Sequence, residues 1–312
     1  MMSNDWRNYY HLQVELLLKV LPYVAKESCF ALKGGTAINF FVRDMPRLSV
    51  DIDLTYLPIE PRDITLVHIE EALTRIRLAI SEHHRDIVIK EKRTKNDLRL
   101  SKLFITQKSV LIKIEPNEIL RGTVYPYETR DLSSKVEQIF QRFISDMPVV
   151  SLADLYGGKI CAALARQHPR DLFDIKLLFE NEGITDSIRQ AFVIYLASSP
   201  RPAHELLNPK PVLQDMHKAF EDGFVGMTEN AISYNELVET RYRLITHLLQ
   251  ELTINERKFL LSIKMGEPDW SLMPIDGIRN LPALAWKTIN IQKMDKKKHV
   301  EALGKLKKVL EF

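Results

Sequence analysis

The sequence has 312 residues, 45% of them hydrophobic and 27% charged, a balance that excludes long-range disorder and leaves room for two domains. Forty-four Lys and Arg stand against 41 Asp and Glu, for a net charge of +3. No signal peptide is visible in the polar N-terminal residues, and apolar runs such as Ala191–Ala197 are too short to span a bilayer, so a soluble cytoplasmic protein is expected.

Residues 11–25 place Leu12, Leu16, Val20 and Val24 on one helical stripe. Trp6 and the Tyr9-Tyr10 pair are expected to pack about the start of that helix, with stacking on RNA bases as the alternative. A strand over 29–33 runs into Gly34-Gly35-Thr36, and Thr36 is a suitable N-cap for a short helix reaching Phe41. Pro46 marks 44–47 as a loop. Polar and apolar residues alternate from Ser49 to Tyr56, which specifies a strand with one buried face. A helix over 64–81 follows, with His83-His84 read as solvated surface, and then strand-like runs at 87–93, 98–106 and 110–115. This α-β-α-β-α-β-β-β order implies a small mixed sheet with helices on one side. Beyond Pro148 nearly everything reads as helix, opened by Ser151 and Asp154 in a capping-box-like pair and broken near prolines 200–211 and residues 267–274. The expected division is an α/β domain over 1–147 and a helical domain over 148–312.

Cys29 and Cys161 have neither CxxC nor His spacing and are read as core residues in a reducing compartment. From Ile291 to Phe312 seven lysines face three acids, a local excess larger than that of the whole chain. Such a run either touches RNA phosphates or is solvated surface.

Side chains two apart on a strand share a face. Val50, Ile52 and Leu54 therefore point to the core, and Ser49, Asp51 and Asp53 to the other side. Two carboxylates so placed repel unless a cation sits between them, and oxygen donors of this kind suit Mg²⁺ or Mn²⁺. In 110–115 Lys113 and Glu115 share one face. If that strand neighbours the Asp51 strand, Glu115 completes a three-carboxylate cluster able to hold two metals for phosphoryl transfer. Gly34 and Gly35, between strand and helix, let a phosphate approach the backbone, where helix N–H groups can donate to it. Lys159, Ala163 and Arg166 lie along one helix face, so a lysine and an arginine can reach one polyanion together, and Gly157 and Gly158 allow close backbone approach. Arg170 and Asp174, four apart, could instead be a plain intrahelical pair. His168, before Pro169, is read as a turn residue over a catalytic one.

The run Lys33–Ile38 followed by Arg47-Leu-Ser-Val-Asp-Ile-Asp-Leu54 resembles the Gly-Gly…Asp-x-Asp signature of polymerase-β-like nucleotidyltransferases. Within that superfamily it is similar to the AbiEii/AbiGii toxin group, whose first motif has this Arg-x-Ser-x-Asp-Ile-Asp form. Residues 151–175, SLADLYGGKICAALARQHPRDLFDI, resemble the group's helical motif of a Lys followed by Arg-Asp-x-x-Asp. The segment 252–287, with Asn255-Glu-Arg-Lys-Phe-Leu and Gly266-Glu-Pro-Asp-Trp-Ser, is similar to its C-terminal region.

The resemblance implies an α+β fold: a nucleotidyltransferase mixed sheet with flanking helices, then a mostly helical domain contributing to the NTP site and to acceptor binding. It implies Asp51 and Asp53 as metal ligands, Ser49 as an NTP contact beside Gly34, Gly35 and Thr36, and Lys159 with Arg166 as triphosphate contacts. Asp174 is the implied acid of the helical motif, with Asp171 kept beside it, and Glu115 stands where the superfamily has an acid, usually Asp. The implied function is the toxin of a toxin–antitoxin system that moves NMP from NTP to an RNA acceptor such as the tRNA 3′ end. The implied partner is a cognate antitoxin, often a winged-helix protein. Nucleotidylation of a protein acceptor, and a non-catalytic nucleotide-binding regulator, stay open beside it.

Overall fold

The computed structural model describes residues 5–312, with side chains from residue 9 onward, so the expectation for the Trp6 side chain lies outside the described residues. Two units divide the chain: Met1–Ser151 together with Gly226–Asn230, and Leu152–Val225 together with Ala231–Phe312.

In the first unit the chain runs through α1 (Asp5–Ala25), β1 (Phe30–Lys33), α2 (Gly34–Ala37) and a π-helical turn over Ile38–Val42. It continues through β2 (Asp51–Tyr56), α3 (Arg62–His83), β3 (Ile87–Arg93), β4 (Leu100–Gln107) and β5 (Val110–Asn117). Three short elements close it: β6 (Glu128–Arg130), α4 (Ser134–Phe140) and β7 (Met147–Val149). The strands form one mixed sheet in the order β3-β4-β5-β2-β1-β7-β6, with β2 parallel to β5 and β1 parallel to β7.

Alternation along β2 buries Ile52 and Leu54 completely and leaves Asp51 and Asp53 partly exposed. α1 packs on β1, β2 and β5 through a stripe that includes Leu17, Val20, Leu21 and Val24. α3 covers β3 and β4 with Ile69, Leu73, Ile76 and Ile80. Each fully buried Leu or Ile contributes about 1.5–3 kcal/mol relative to leaving it exposed. His84, expected at the surface, is half-buried: its ring bonds the Tyr23 hydroxyl at 3.1 Å, and burial holds its pKa below the usual imidazole value.

The second unit is helical: α5 (Leu152–Arg166), α6 (Pro169–Glu180), α7 (Asp186–Ser198), α8 (Ala203–Leu207) and α9 (Leu213–Gly223). α10 (Tyr234–Glu251), α11 (Ile254–Met265), α12 (Pro282–Gln292) and α13 (Lys296–Leu310) complete it. Capping is local and legible: Ser233 with Glu236 and Thr253 with Glu256 form capping boxes, and Gly266 ends α11 in the left-handed region. α5 and α7 pack face to face, and Tyr195 of α7 donates to Asp154 of α5 at 2.7 Å. Gly157 makes that approach possible, because a Cβ there would lie 2.8 Å from the Phe192 amide nitrogen. The close approach expected at Gly157 is thus to a neighbouring helix, and at Gly158 a Cβ would meet open space. Cys161, on the same contact, is half-buried with its pKa raised by burial, and Cys29 is pushed up to about 11 by burial and then Glu27. No helix among the described residues is long and apolar enough to cross a membrane.

Candidate active site

Strand pairing assembles a charged patch in the first unit. Asp53 lies opposite Lys33 on β1 and in register with Glu115 on β5, while Asp51 is in register with Lys113. The expected adjacency of the Asp51 and Glu115 strands is present, and it brings lysines with it. Lys113 Nζ stands 3.7 Å from Asp51 and 3.4 Å from Glu115, and Lys102 of β4 binds the other Glu115 oxygen. Burial alone would raise the Glu115 pKa, yet Lys102 and Lys113 hold it below the usual carboxylate value. Burial likewise works against the charge on Lys113, and Asp51, Glu115 and Asp53 overcome it and raise its pKa. For Lys33 burial prevails over Asp53 and Glu115, and its pKa is lowered.

The Gly-Gly turn is built against these acids. Gly34 has φ +74, and a Cβ on it would lie 2.6 Å from Asp53 Oδ2. At Gly35 a Cβ would meet Arg47 Nη2 at 2.7 Å and Ser49 Oγ at 2.8 Å. Thr36 does not cap the helix as expected: α2 starts at Gly34, with Lys33 in the N-cap position. The Thr36 hydroxyl instead donates to the Asp51 carbonyl at 2.5 Å and is hydrogen-bonded to Ser49 Oγ at 3.1 Å. Gly34, Gly35, Thr36, Ser49, Asp51 and Asp53 therefore sit together at one end of β1 and β2. Met227 and Glu229 hold the approach to Ser49, through hydrogen bonds from the Leu48 amide to the Met227 carbonyl and from the Glu229 amide to the Pro46 carbonyl.

The all-oxygen set of Asp51 and Asp53, on one strand face with partial exposure, fits a hard divalent cation. Glu115 is adjacent, but both its oxygens are engaged by lysines, which would have to yield before it could join them. Among the described residues no group of three or more His, Cys, Asp or Glu is arranged to hold a metal ion.

A second cluster lies wholly within the helical unit. Lys159 is buried between Asp174 at 2.9 Å and Asp171 at 3.1 Å, and Asp174 is fully buried. Arg166, largely exposed, reaches Asp171 at 2.8 Å. Burial would raise the Asp171 pKa, but Lys159 and Arg166 hold it below the usual carboxylate value. Asp174 thus pairs with Lys159, where the sequence spacing allowed a pair with Arg170. His168 is the N-cap of α6, its Nδ1 accepting from the Arg170 amide at 3.2 Å, so the turn reading describes its place.

Sequence reasoning missed the cations Lys33 and Lys102 and the buried Arg47. Lys113 was visible on the Glu115 face, whereas Lys33 opposite Asp53 depends on a pairing register that strand periodicity does not carry.

Comparison with curated proteins returns no match. The chain is similar to a solved structure, the nucleotidyltransferase toxin MenT4 from Mycobacterium tuberculosis, at 14% identity and a TM-score of 0.61, over 95% of this chain and 93% of that one. At that identity the likeness shows the fold. The family described as "Nucleotidyl transferase AbiEii toxin, Type IV TA system" matches residues 15–282, most of the sequence, and the chain belongs to this family of nucleotidyltransferase toxins.

Proposed function

We propose that this chain is a metal-dependent toxin that transfers a nucleoside monophosphate from an NTP onto a hydroxyl of an RNA acceptor such as the tRNA 3′ end. The observation that carries the reading is the juxtaposition of Asp51 and Asp53, on one face of β2, with the Gly34–Gly35 turn and Ser49. The turn lets phosphate oxygens approach backbone N–H groups, and Ser49 and Thr36 add hydroxyl donors beside them. Asp51 and Asp53 would hold Mg²⁺ or Mn²⁺, which when bound neutralises phosphate charge and polarises the reacting phosphoryl group. Glu115 joins the ligand set in this reading once Lys102 and Lys113 release it. Arg166, largely exposed, is assigned to the triphosphate, and Lys159 joins it in this reading once Asp171 and Asp174, which neutralise it, release it. In the reaction the acceptor hydroxyl oxygen bonds to the α-phosphorus, the bond to the bridging oxygen breaks, and pyrophosphate leaves; the hydroxyl proton goes to solvent.

The lysines of α13 support the RNA acceptor. Lys296, Lys297 and Lys298 are all exposed in its first turn, and Lys305, Lys307 and Lys308 near its end. Charge neutralisation of phosphates releases counterions, so RNA affinity should fall with salt. Replacing Lys296, Lys297 and Lys298 by Ala should flatten the salt slope of tRNA binding while NTP binding persists; an unchanged slope would return these lysines to solvated surface. A cognate antitoxin of the winged-helix type, and a cytoplasmic location, belong to the same reading.

The purified protein, incubated with total tRNA, Mg²⁺ and each labelled NTP in turn, tests the whole assignment. Label on RNA is the expected result. Label on protein alone would transfer the assignment to a protein acceptor, and NTP binding without any transfer would favour a non-catalytic regulator.

A further inference from the structure

Strand pairing carries the acid patch outward across the sheet. Asp51 is in register with Lys113 on β5, Lys113 with Phe104 on β4, and Phe104 with Lys90 on the edge strand β3. A second row runs beside it: Asp53 is in register with Glu115, Glu115 is bound by Lys102, and Lys102 is in register with Lys92. Partners in register share a sheet face, so both rows lie on the face that bears Asp51 and Asp53. Three strand spacings of about 4.8 Å put Lys90 about 14 Å from Asp51.

α1 and α3 occupy the opposite face, over Leu103, Ile105, Ile112 and Ile114, all buried. The face of the two rows is open: Lys90 and Lys92 are exposed, Val88 in line with them is 58% exposed, and Phe104 is half-buried. Alternation sorts charge between the faces. Glu91, between the two lysines, turns to α3 and pairs with Arg77 at 3.0 Å, which removes the acid of β3 from the open face. Lys102 and Lys113 are matched by Glu115 and Asp51, whereas Lys90 and Lys92 enter no ion pair among the described residues. Lysines on an edge strand discourage pairing with another chain. That role calls for no aromatic ring on the interior strand β4, and no ring among the described residues packs on Phe104.

We infer that, on the RNA-acceptor reading of the chain, the open face of β3 and β4 is the track by which the single-stranded end of the acceptor reaches Asp51 and Asp53. Phe104 is its stacking platform, and Lys90 and Lys92 are its phosphate contacts. Unpaired bases stack on aromatic side chains presented by a sheet, and a basic margin holds the backbone. Stacking of this kind requires a splayed base, which selects a single strand over a duplex.

Anisotropy of a fluorescein-labelled single-stranded oligoadenylate on the full-length protein, over a salt series and without NTP or metal, tests this apart from catalysis. The Lys90→Gln, Lys92→Gln double variant should bind several-fold more weakly and flatten the slope of log affinity against log salt by about 1.4, at roughly 0.7 per phosphate contact. Phe104→Leu should weaken binding by about five-fold or more with the slope unchanged, and Phe104→Trp should keep it. Ultraviolet crosslinking of the wild type should place the RNA adduct on the peptide that holds Phe104. Urea unfolding checks that each variant is folded, and NTP binding should be unchanged in all three. RNA binding equal to wild type in every variant, with the adduct elsewhere, would overturn the inference, while labelling of RNA by the wild type would leave the transfer reading in place. Self-association of the double-lysine variant with unchanged RNA affinity would also count against it, and would mark Lys90 and Lys92 as guards of the sheet edge. A wild type that neither binds nor labels RNA would remove the RNA-acceptor reading and this track with it.

Discussion

Gly34 is the residue on which the acid patch turns. Its φ of +74 costs a side-chain-bearing residue about 1–2 kcal/mol, and a Cβ would also displace the Asp53 carboxylate. Gly34→Ala should therefore lower both unfolding stability and nucleotide transfer; a variant with wild-type transfer would mean that the position of Asp53 does not matter. Lys159 offers a second residue-scale test. Removing its ammonium leaves Asp171 and Asp174 facing each other inside the helical unit, and breaking a buried pair of this kind costs about 3–5 kcal/mol. Lys159→Ala should show that loss in urea unfolding. The pH dependence has a definite sign: the Asp171 pKa is depressed on folding, so its contribution is present above the ordinary carboxylate value of about 3.9 and is lost as pH falls through the folded value. Stability should drop on acidification below about pH 4, less steeply in Asp171→Asn. An identical acid profile in that variant would remove Asp171 from the linkage.

At the scale of elements, β1 to β5 and the long helices are legible because their apolar period persists for several residues. Ile52 and Leu54 announce a strand, and the same alternation places Asp51 and Asp53 together. β6 and β7 are not legible, at three residues each and with Pro148 inside β7; β7 is a strand because the edge of β1 is there to pair with, and β6 because β7 is. The seven-residue α4 is likewise too short to show a period. Thr36 misleads for a related reason, since Ser, Thr and Asn suit a helix cap and a cross-strand hydrogen bond equally well. The lysine partners of Glu115 are readable as residues but not as partners, because pairing depends on register between strands far apart in sequence. Gly157 reads as a glycine near a phosphate-binding lysine, and its place is a helix crossing. Gly157→Ala should push α5 from α7 and destabilise the protein by about 1–3 kcal/mol, seen in the unfolding midpoint. An unchanged midpoint would show that the Phe192 backbone yields at no cost.

On the scale of the whole molecule, a mixed sheet presents acids at one end of β2, a helical unit buries a neutralised lysine, and the chain belongs to the nucleotidyltransferase toxin family. The central claim is that Asp51 and Asp53 serve chemistry and not folding. Both are partly exposed, and Ile52 and Leu54 between and beyond them carry the packing. The most direct measurement is transfer of labelled nucleotide from NTP in the presence of Mg²⁺ by Asp51→Ala and Asp53→Ala, beside an unfolding curve for each. Loss of transfer in both variants with unfolding close to wild type is the predicted result. Wild-type turnover in either variant would contradict the assignment of that carboxylate to the reaction.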